Sequence, residues 1–322
     1  MHEYAMGQPL EESDHISQMV RAAELYYELG LTQEEVAAHM AVSRPTVSRL
    51  LRQAREQDIV RITVVNPRSR AKALEKALVE RWGLHDAVVV PTTVRRGELL
   101  LQRLGEAGAR YLERSLPPGV HLGIGLGRTV YQLVHSLDRI SPAPKVVPLC
   151  GGTMFAESAY HVNEIARIAA QRLNGYCYYL HAPAEVSSRQ VYEALVADSA
   201  VAEVISLWDR LDWALIGIGS AQHVESPEWQ AYLQRTAQTG AQPVADLCYN
   251  LVDAEGGSVP PPPDVHLLAA DIEQLRRAKC VVAVAGGQHK IDAIHAALRT
   301  GVIDVLLTDE PTAVHLIQSE ET

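Results

Sequence analysis

Lysine is scarce in this chain of 322 residues: Lys72, Lys76, Lys145, Lys279 and Lys290 stand against 24 arginines. The imbalance reads as genome composition, and it makes Lys290 stand out. Cysteine is rarer still. Cys150, Cys177, Cys248 and Cys280 lie far apart, form no Cys-x-x-Cys pair and sit in or beside apolar strand-like runs, as reduced structural thiols do. The 13 histidines are scattered with no His-Glu-x-x-His spacing, so no metal site and no cofactor is expected. No apolar run reaches the roughly 18 residues needed to span a bilayer. The first residues, MHEYAMGQPLEESDH, lack the charged start and apolar centre of a signal peptide. A formal net charge of -10 argues against a membrane-surface role. These absences lead to the expectation of a cytoplasmic protein.

What is present is most informative between Leu31 and Arg55, LTQEEVAAHMAVSRPTVSRLLRQAR. Thr32 with Glu35 three positions on fits a capping box. Val36, Ala37 and Met40 give the helix that follows an apolar stripe, and Ala41-Val42 breaks it. Ser43 then caps a second helix with Pro45 in its first turn, where a missing amide is tolerated. Val47, Leu50, Leu51 and Ala54 share the buried face of that second helix, which leaves Arg44, Pro45, Thr46, Ser48, Arg49, Gln53 and, at the edge, Arg52 outside. That is the layout of a helix-turn-helix whose second helix enters a major groove. Arg44 and Arg49 can present a guanidinium fork to guanine, Thr46 can touch a thymine methyl, and Ser43, Ser48 and Arg52 lie where phosphates run. Thr32 and Gln33, at the start of the first helix, complete the DNA-facing set. Ile16, Met19, Val20, Ala23, Tyr26 and Tyr27 repeat at helical spacing and suit a support helix, and Ile59 to Val64 alternates like a short wing. From Ser43 to Arg70 seven arginines face only Glu56 and Asp58, so positive charge is concentrated where DNA would sit.

About 250 residues remain, enough for one large domain with its own core. The expected boundaries are residues 14–66 for the DNA-binding domain and 67–322 for the second, which Pro67 to Trp82 opens with a connecting helix. Beyond Arg68, short apolar runs alternate with helical patterns. The runs are Ala87–Val90, Val120–Gly125, Val146–Leu149, Tyr176–Leu180, Trp213–Ile218, Val244–Leu247, Cys280–Ala285 and Val305–Thr308. The helical patterns include Glu98–Leu116, Thr129–Leu137, Asn163–Leu173, Val191–Leu207, Ile291–Arg299 and Thr312–Ile317. Such alternation predicts a doubly wound, mostly parallel α/β sheet, with ligands at the carboxyl ends of its strands.

The unusual residues collect at that edge. GIGLGRT, Gly123 to Thr129, leads from a strand into a helix, where Gly125, Gly127, Arg128 and Thr129 can gather donors around a phosphate. Gly151-Gly152, Gly217 with Gly219, and Gly286 ahead of Lys290 follow three further strands, so four glycine loops describe one pocket. Lys290 opens a helix whose amino end is already positive, which suits a nearby anion better than a structural cation. Asp246 and Asp309, at strand ends, can accept from sugar hydroxyls, or alternatively cap the segments that follow.

The pairing of a helix-turn-helix with VVPLCGGT, GIGLGRT, AGGQHK and VLLTDEPTA resembles the SorC family of bacterial transcriptional regulators, from about Ile16 to Ile317. The resemblance implies a large domain like the sugar-phosphate isomerase and deaminase fold, which binds a phosphorylated sugar and controls operator DNA binding by a homo-oligomer, a dimer or tetramer. It implies that Gly125, Gly127, Arg128 and Thr129 hold the phosphate, that Gly286 and Lys290 line the same pocket, and that Asp246 faces the sugar. Two departures stand out: Ala245-Asp246 replaces the frequent Gly-Asp, and Cys150 occupies a position where some members carry lysine, which removes a covalent imine there. The function expected is a repressor of carbohydrate genes and not an enzyme. The alternative is a working sugar-phosphate isomerase or deaminase with Asp309, Glu310, Asp246 or His289 as acid and base. Glu255 to Pro263, EGGSVPPPP, reads as a loop outside any ladder, either a plain surface loop or a lid.

Overall fold

The computed structural model describes residues 10–57, 59–60, 70–92, 94, 96–153, 160–223 and 227–318. The chain divides into two compact units, Met1–Pro67 and Arg68–Thr322.

In the first unit, α1 (Leu10–Ala23) runs into one π-helical turn (Glu24–Glu28) and is followed by α2 (Gln33–Met40) and α3 (Arg44–Glu56). The capping box at Thr32 is formed: the Glu35 amide reaches the Thr32 hydroxyl at 3.3 Å, and the Thr32 amide donates to Glu35 Oε2 at 2.8 Å. Helix α2 ends at Ala41, which takes a left-handed conformation with φ 55°. The Val42 amide then closes back on the Ala37 carbonyl at 3.0 Å, which satisfies a terminal carbonyl and turns the chain sharply. Ser43 caps α3, with Pro45 in its first turn. Met19, Ala22, Ala23, Val36, Ala37, Val47, Leu50, Leu51 and Ala54 form the core of this unit. The support-helix reading needs correction, because Ile16, Val20 and Tyr27 are exposed while Ala22 is buried in their place. Of the expected wing, Ile59 and Val60 form a bend and residues 61–64 lie outside the described residues.

The second unit contains, in chain order, α4 (Arg70–Trp82), β1 (Asp86–Val90), α5 (Glu98–Ser115), β2 (His121–Ile124), α6 (Arg128–Ser136), β3 (Lys145–Pro148), α7 (Val162–Arg172), β4 (Tyr176–Cys177), β5 (Glu185–Val186), α8 (Arg189–Ala197), α9 (Ser199–Leu207), β6 (Trp213–Gly217), β7 (Gly219–Ser220), α10 (Pro227–Gln238), β8 (Ala245–Leu247), β9 (Asn250–Val252), β10 (Ser258–Val259), β11 (His266–Leu267), α11 (Ile272–Arg277), β12 (Cys280–Val284), α12 (Ile291–Arg299), β13 (Val305–Asp309) and α13 (Glu310–Gln318). Seven strands form one sheet in the order β1-β13-β12-β6-β2-β3-β4, and every pair in it is parallel. One face packs on α5, α6 and α7 through Leu104, Leu133, Ile165, Leu215 and Leu307. The other packs on α4, α12 and α13 through Leu78, Ile294, Ala214, Leu306 and Leu316. Strands covered on both faces carry apolar residues through their central positions, which is why they read as continuous runs.

Three sequence readings change. The run Val244–Leu247 does not join the parallel sheet, because β8 belongs to a four-stranded antiparallel sheet of order β10-β9-β8-β7. The pattern Val191–Leu207 is two helices, broken where the Asp198 carboxylate takes the amides of Ala200 and Val201 to cap α9. Within Glu255–Pro263, Ser258 and Val259 pair with Val252 and Leu251, so only the residues on either side are loop. A Cβ on Gly256 would stand 2.7 Å from the Arg299 carbonyl carbon, at the far end of α12, a helix about 13 Å long. The turn at Gly256 therefore packs at the end of α12 opposite Lys290.

Leu50, 1% exposed, anchors α3 in the core of the first unit. Leu50→Ala is expected to cost that unit about 2–5 kcal/mol, read as a lowered unfolding midpoint of its transition in the full chain.

Candidate functional site

Two sets of residues concern function, one in each unit. On α3 the outward residues Arg44, Pro45, Ser48, Arg49 and Arg52 are exposed. Arg44 is drawn to Glu34 of α2 at 3.4 Å, and Arg52 to Glu56 at 3.8 Å; both pairs are open to water and weak, so phosphates or bases can displace them. Thr46 and Gln33 are half-buried, and the hydroxyls of Ser43 and Thr46 stand 2.8 Å apart. Their first role is to cap α3. Gln53, read as outward, is half-buried and lies 3.2 Å from His15.

In the second unit the carboxyl ends of the parallel strands share one edge. The chain leaves β2 toward β3 on one side and returns through β6 toward β12 on the other. Loops that diverge in this way open a crevice between β2 and β6, the position where doubly wound sheets take ligands. The loop Gly125-Leu126-Gly127 follows β2 and opens α6. Gly127 has φ 128°, a backbone position that glycine alone adopts without strain, and no side chain caps α6. Gly287, with φ 98°, likewise opens the turn leading to α12 without a side-chain cap. Neither turn is capped by a side chain, and glycine-led helix starts of this kind are where anions bind in general.

The glycines do not all play the role expected of them. The Gly125 amide is spent on the Leu215 carbonyl at 2.9 Å, and the Gly151 and Gly152 amides donate to Leu268 and Ala182 at 2.8 Å each. Gly151 and Gly152 are glycines of close packing: a Cβ on either would run into Pro183 or His161. Gly217 borders the crevice, since its Cβ would stand 3.6 Å from the Leu126 carbonyl. Gly219 pairs with Asp246 across β7 and β8, and a Cβ there would meet Asp246 Oδ2 at 3.1 Å.

Asp309 is fully buried at the end of β13. Its Oδ2 accepts from the Gly287 amide at 2.6 Å and from the Thr312 hydroxyl at 2.7 Å, and its Oδ1 accepts from the Thr312 amide at 3.1 Å. That carboxylate holds the β12 loop and caps α13, so its reading as a sugar contact gives way to its reading as a cap. Gly286 packs directly against it. Lys290 is half-buried, and its ammonium donates to the Ile218 carbonyl at 2.7 Å, just beyond β6. Asp246 is different from Asp309: its Oδ1 is buried and has no hydrogen-bond partner, while the Tyr249 backbone amide and the Lys290 charge both act on the carboxylate. An acceptor oxygen left over beside a cation is what a ligand hydroxyl can use.

Sequence reasoning placed Gly287 in a glycine loop without its tie to Asp309 and missed the part of Thr312, although Asp309 with Pro311 and Thr312 after it carries the signal of a helix start. It also missed the turn Cys248-Tyr249, where φ is 52° and 69° and where neither glycine nor asparagine marks the bend.

A model of a Crp-like helix-turn-helix domain matches residues 13–70, and a sugar-binding domain model matches residues 66–318. The sorbitol operon regulator of Klebsiella pneumoniae is 33% identical over 315 residues, which cover 96% of this chain and 100% of that protein. This chain belongs to the SorC family of transcriptional regulators. The crystal structure of the full-length Klebsiella pneumoniae regulator matches with a TM-score of 0.83 and 31% identity over 94% of this chain and 99% of that one. The deoxyribonucleoside regulator of Bacillus subtilis is 28% identical over 303 residues, 92% of this chain and 96% of its own. As a SorC-family member the chain is a DNA-binding transcriptional regulator with a sugar-binding domain. Among the described residues no helix is long and apolar enough to cross a membrane.

In this SorC-family chain burial raises the Asp246 carboxyl from its ordinary 3.8 to about 7, against the opposing pull of the Tyr249 amide and of Lys290. A raised carboxyl favours folding only while protonated: the contribution is complete below about pH 4 and is lost as pH rises through about 7. Asp246→Asn keeps the neutral shape at every pH. It is expected to melt above the wild type at about pH 8, with the gap closing toward about pH 5, as followed by thermal unfolding.

Proposed function

We propose that this regulator is a repressor whose operator binding is controlled by a phosphorylated sugar bound at the β2–β6 crevice. The observation that carries the reading is that the glycine-led start of α6, which no side chain caps, shares the carboxyl edge of the sheet with Lys290 and with one buried, unpartnered carboxylate oxygen. The first amides of α6 at Gly127, Arg128 and Thr129 take the phosphate, and Lys290 adds charge. Gly125, Gly217, Gly219 and Gly286 keep the walls of the crevice free of side chains, and Asp246 accepts from a sugar hydroxyl. Asp309, Gly151 and Gly152 support the site from behind.

The chain is read as a regulator and not an enzyme. Asp309, fully buried at this edge, already accepts three donors that tie the loop after β12 to the start of α13, which gives it a structural task in place of a base's. The relatives' names point to the chemical class of ligand: sorbitol for the Klebsiella pneumoniae protein, deoxyribonucleosides for that of Bacillus subtilis, and erythritol catabolism for a Brucella abortus relative 29% identical over 306 residues. On DNA, Arg44 and Arg49 read bases, and Ser43, Ser48 and Arg52 meet phosphates, with Thr32, Gln33, Pro45 and Thr46 alongside. A single recognition helix makes too few contacts for tight binding, so the active form is a homo-oligomer on paired half-sites in the cytoplasm. Any ligand that favours one arrangement of these helices shifts DNA affinity by the same coupling energy.

The test is binding of the full-length protein to DNA from upstream of its own gene, at fixed salt, with sorbitol, erythritol, deoxyribose and their phosphates. Release by one phosphate ester and not by its parent sugar is expected. Tighter binding on addition would overturn control by release, and turnover of the sugar would make the protein an enzyme. Lys290→Glu is expected to abolish the response while operator affinity is retained; loss of both would assign Lys290 a folding role. Arg49→Ala should relax base preference by about 1–3 kcal/mol at one position. Arg52→Ala should weaken all sequences alike and reduce the salt slope by about 1.

A further inference from the structure

The turn between β8 and β9 is strained and held in place from several sides. Cys248 and Tyr249 both occupy the left-handed region, with φ of 52° and 69°. Two consecutive residues with side chains there are strained and persist only where their surroundings over-determine them. Those surroundings are on hand. Asn250 Nδ2 donates to the carbonyls of Leu247, Cys248 and Ala270 at 2.8, 3.2 and 2.8 Å. Tyr249 sets its ring edge-on to Trp229 with centroids 5.2 Å apart.

The turn delivers the Cys248 thiol to the loop after β2. A Cβ on Gly125 would stand 2.5 Å from Cys248 Sγ, and the Leu126 amide is directed at the same thiol. Gly125 and Leu126 are the two residues leading to Gly127, where α6 begins uncapped. Asp246 lies on the same hairpin, two residues before the thiol, with the Tyr249 amide on its carboxylate. One rigid hairpin therefore touches the loop at one point and carries the leftover acceptor at another.

We propose that Cys248 is a positioning residue: its thiol, braced by the strained turn, sets the place of the Gly125–Gly127 loop and fixes its separation from Asp246, so that the hairpin selects ligands by the spacing of phosphate and hydroxyl. The inference rests on the phosphate reading above. It concerns contacts and not reactivity, since burial pushes the thiol well above the ordinary range of cysteine.

Calorimetric titration of the full-length protein with inorganic phosphate tests it, with thermal unfolding as the check on folding. Cys248→Ala is expected to weaken phosphate binding by about fivefold to tenfold, the scale of one lost hydrogen bond with its packing. Cys248→Ser, whose hydroxyl accepts from the Leu126 amide, is expected to retain most of the affinity. Gly125→Ala collides with Sγ and should bind worse than either. The double variant Gly125→Ala/Cys248→Ala, with the collision removed, should recover to the level of Cys248→Ala alone. Wild-type affinity in Cys248→Ala, or losses that simply add in the double variant, would overturn the positioning role while leaving the phosphate reading in place. A wild-type protein that binds no phosphate would overturn both.

Discussion

The sheet of the second unit is covered on both faces, and its chemistry follows from that constraint. Between two layers of helices an unpaired polar group is costly, so polar atoms concentrate at the carboxyl edge, where amides and carbonyls run out of ladder partners. Divergence of the chain on either side of β2 and β6 then opens that edge at one place. The helix starts there also supply positive potential at no cost in buried charge. The proposed site for an anionic ligand thus follows from the topology, and side chains refine it.

The refinement interlocks neighbouring loops. Asp309 ties the end of β13 to the loop after β12 through the Gly287 amide, and to the start of α13 through Thr312. Lys290, at the start of α12, reaches the carbonyl of Ile218 beyond β6. The β8–β9 hairpin reaches the loop after β2. Each tie joins segments far apart in the chain, so displacement of one loop by a ligand is felt by the next. Packed interiors respond to such displacement by switching between discrete arrangements rather than by flexing. That property lets a regulator convert occupancy of a small crevice into a change elsewhere in the molecule.

Local physics made much of this legible beforehand. The capping box at Thr32, the cap at Ser43 and the face Val47, Leu50, Leu51 and Ala54 depend on residues within one or two helical turns of each other, and each was readable directly. The same holds for β1, β2, β3, β6, β12 and β13, whose burial on both faces produces continuous apolar runs. The failures have a common cause. Val244–Leu247 is as apolar as any central strand, yet its partners are decided by β7 and β9 and not by its own composition. Ile16, Val20 and Tyr27 have helical spacing, but the helix turns Ala22 inward instead. Gly151 and Gly152 look like a phosphate loop because close packing against Pro183 and His161 demands the same residue type as close approach to a ligand.

The sequence by itself determined the two-part organisation, the helix-turn-helix and the alternation that makes a parallel sheet, because these arise from periodicity and from caps spanning a few residues. Only the tertiary structure decided which glycines face a crevice and which face a neighbouring backbone, that Asp309 is spent on structure while Asp246 keeps an acceptor free, and that Cys248 meets Gly125. Those distinctions depend on the distance between residues far apart in the chain, and on whether the donors that meet an acceptor come from the protein or are left to a ligand.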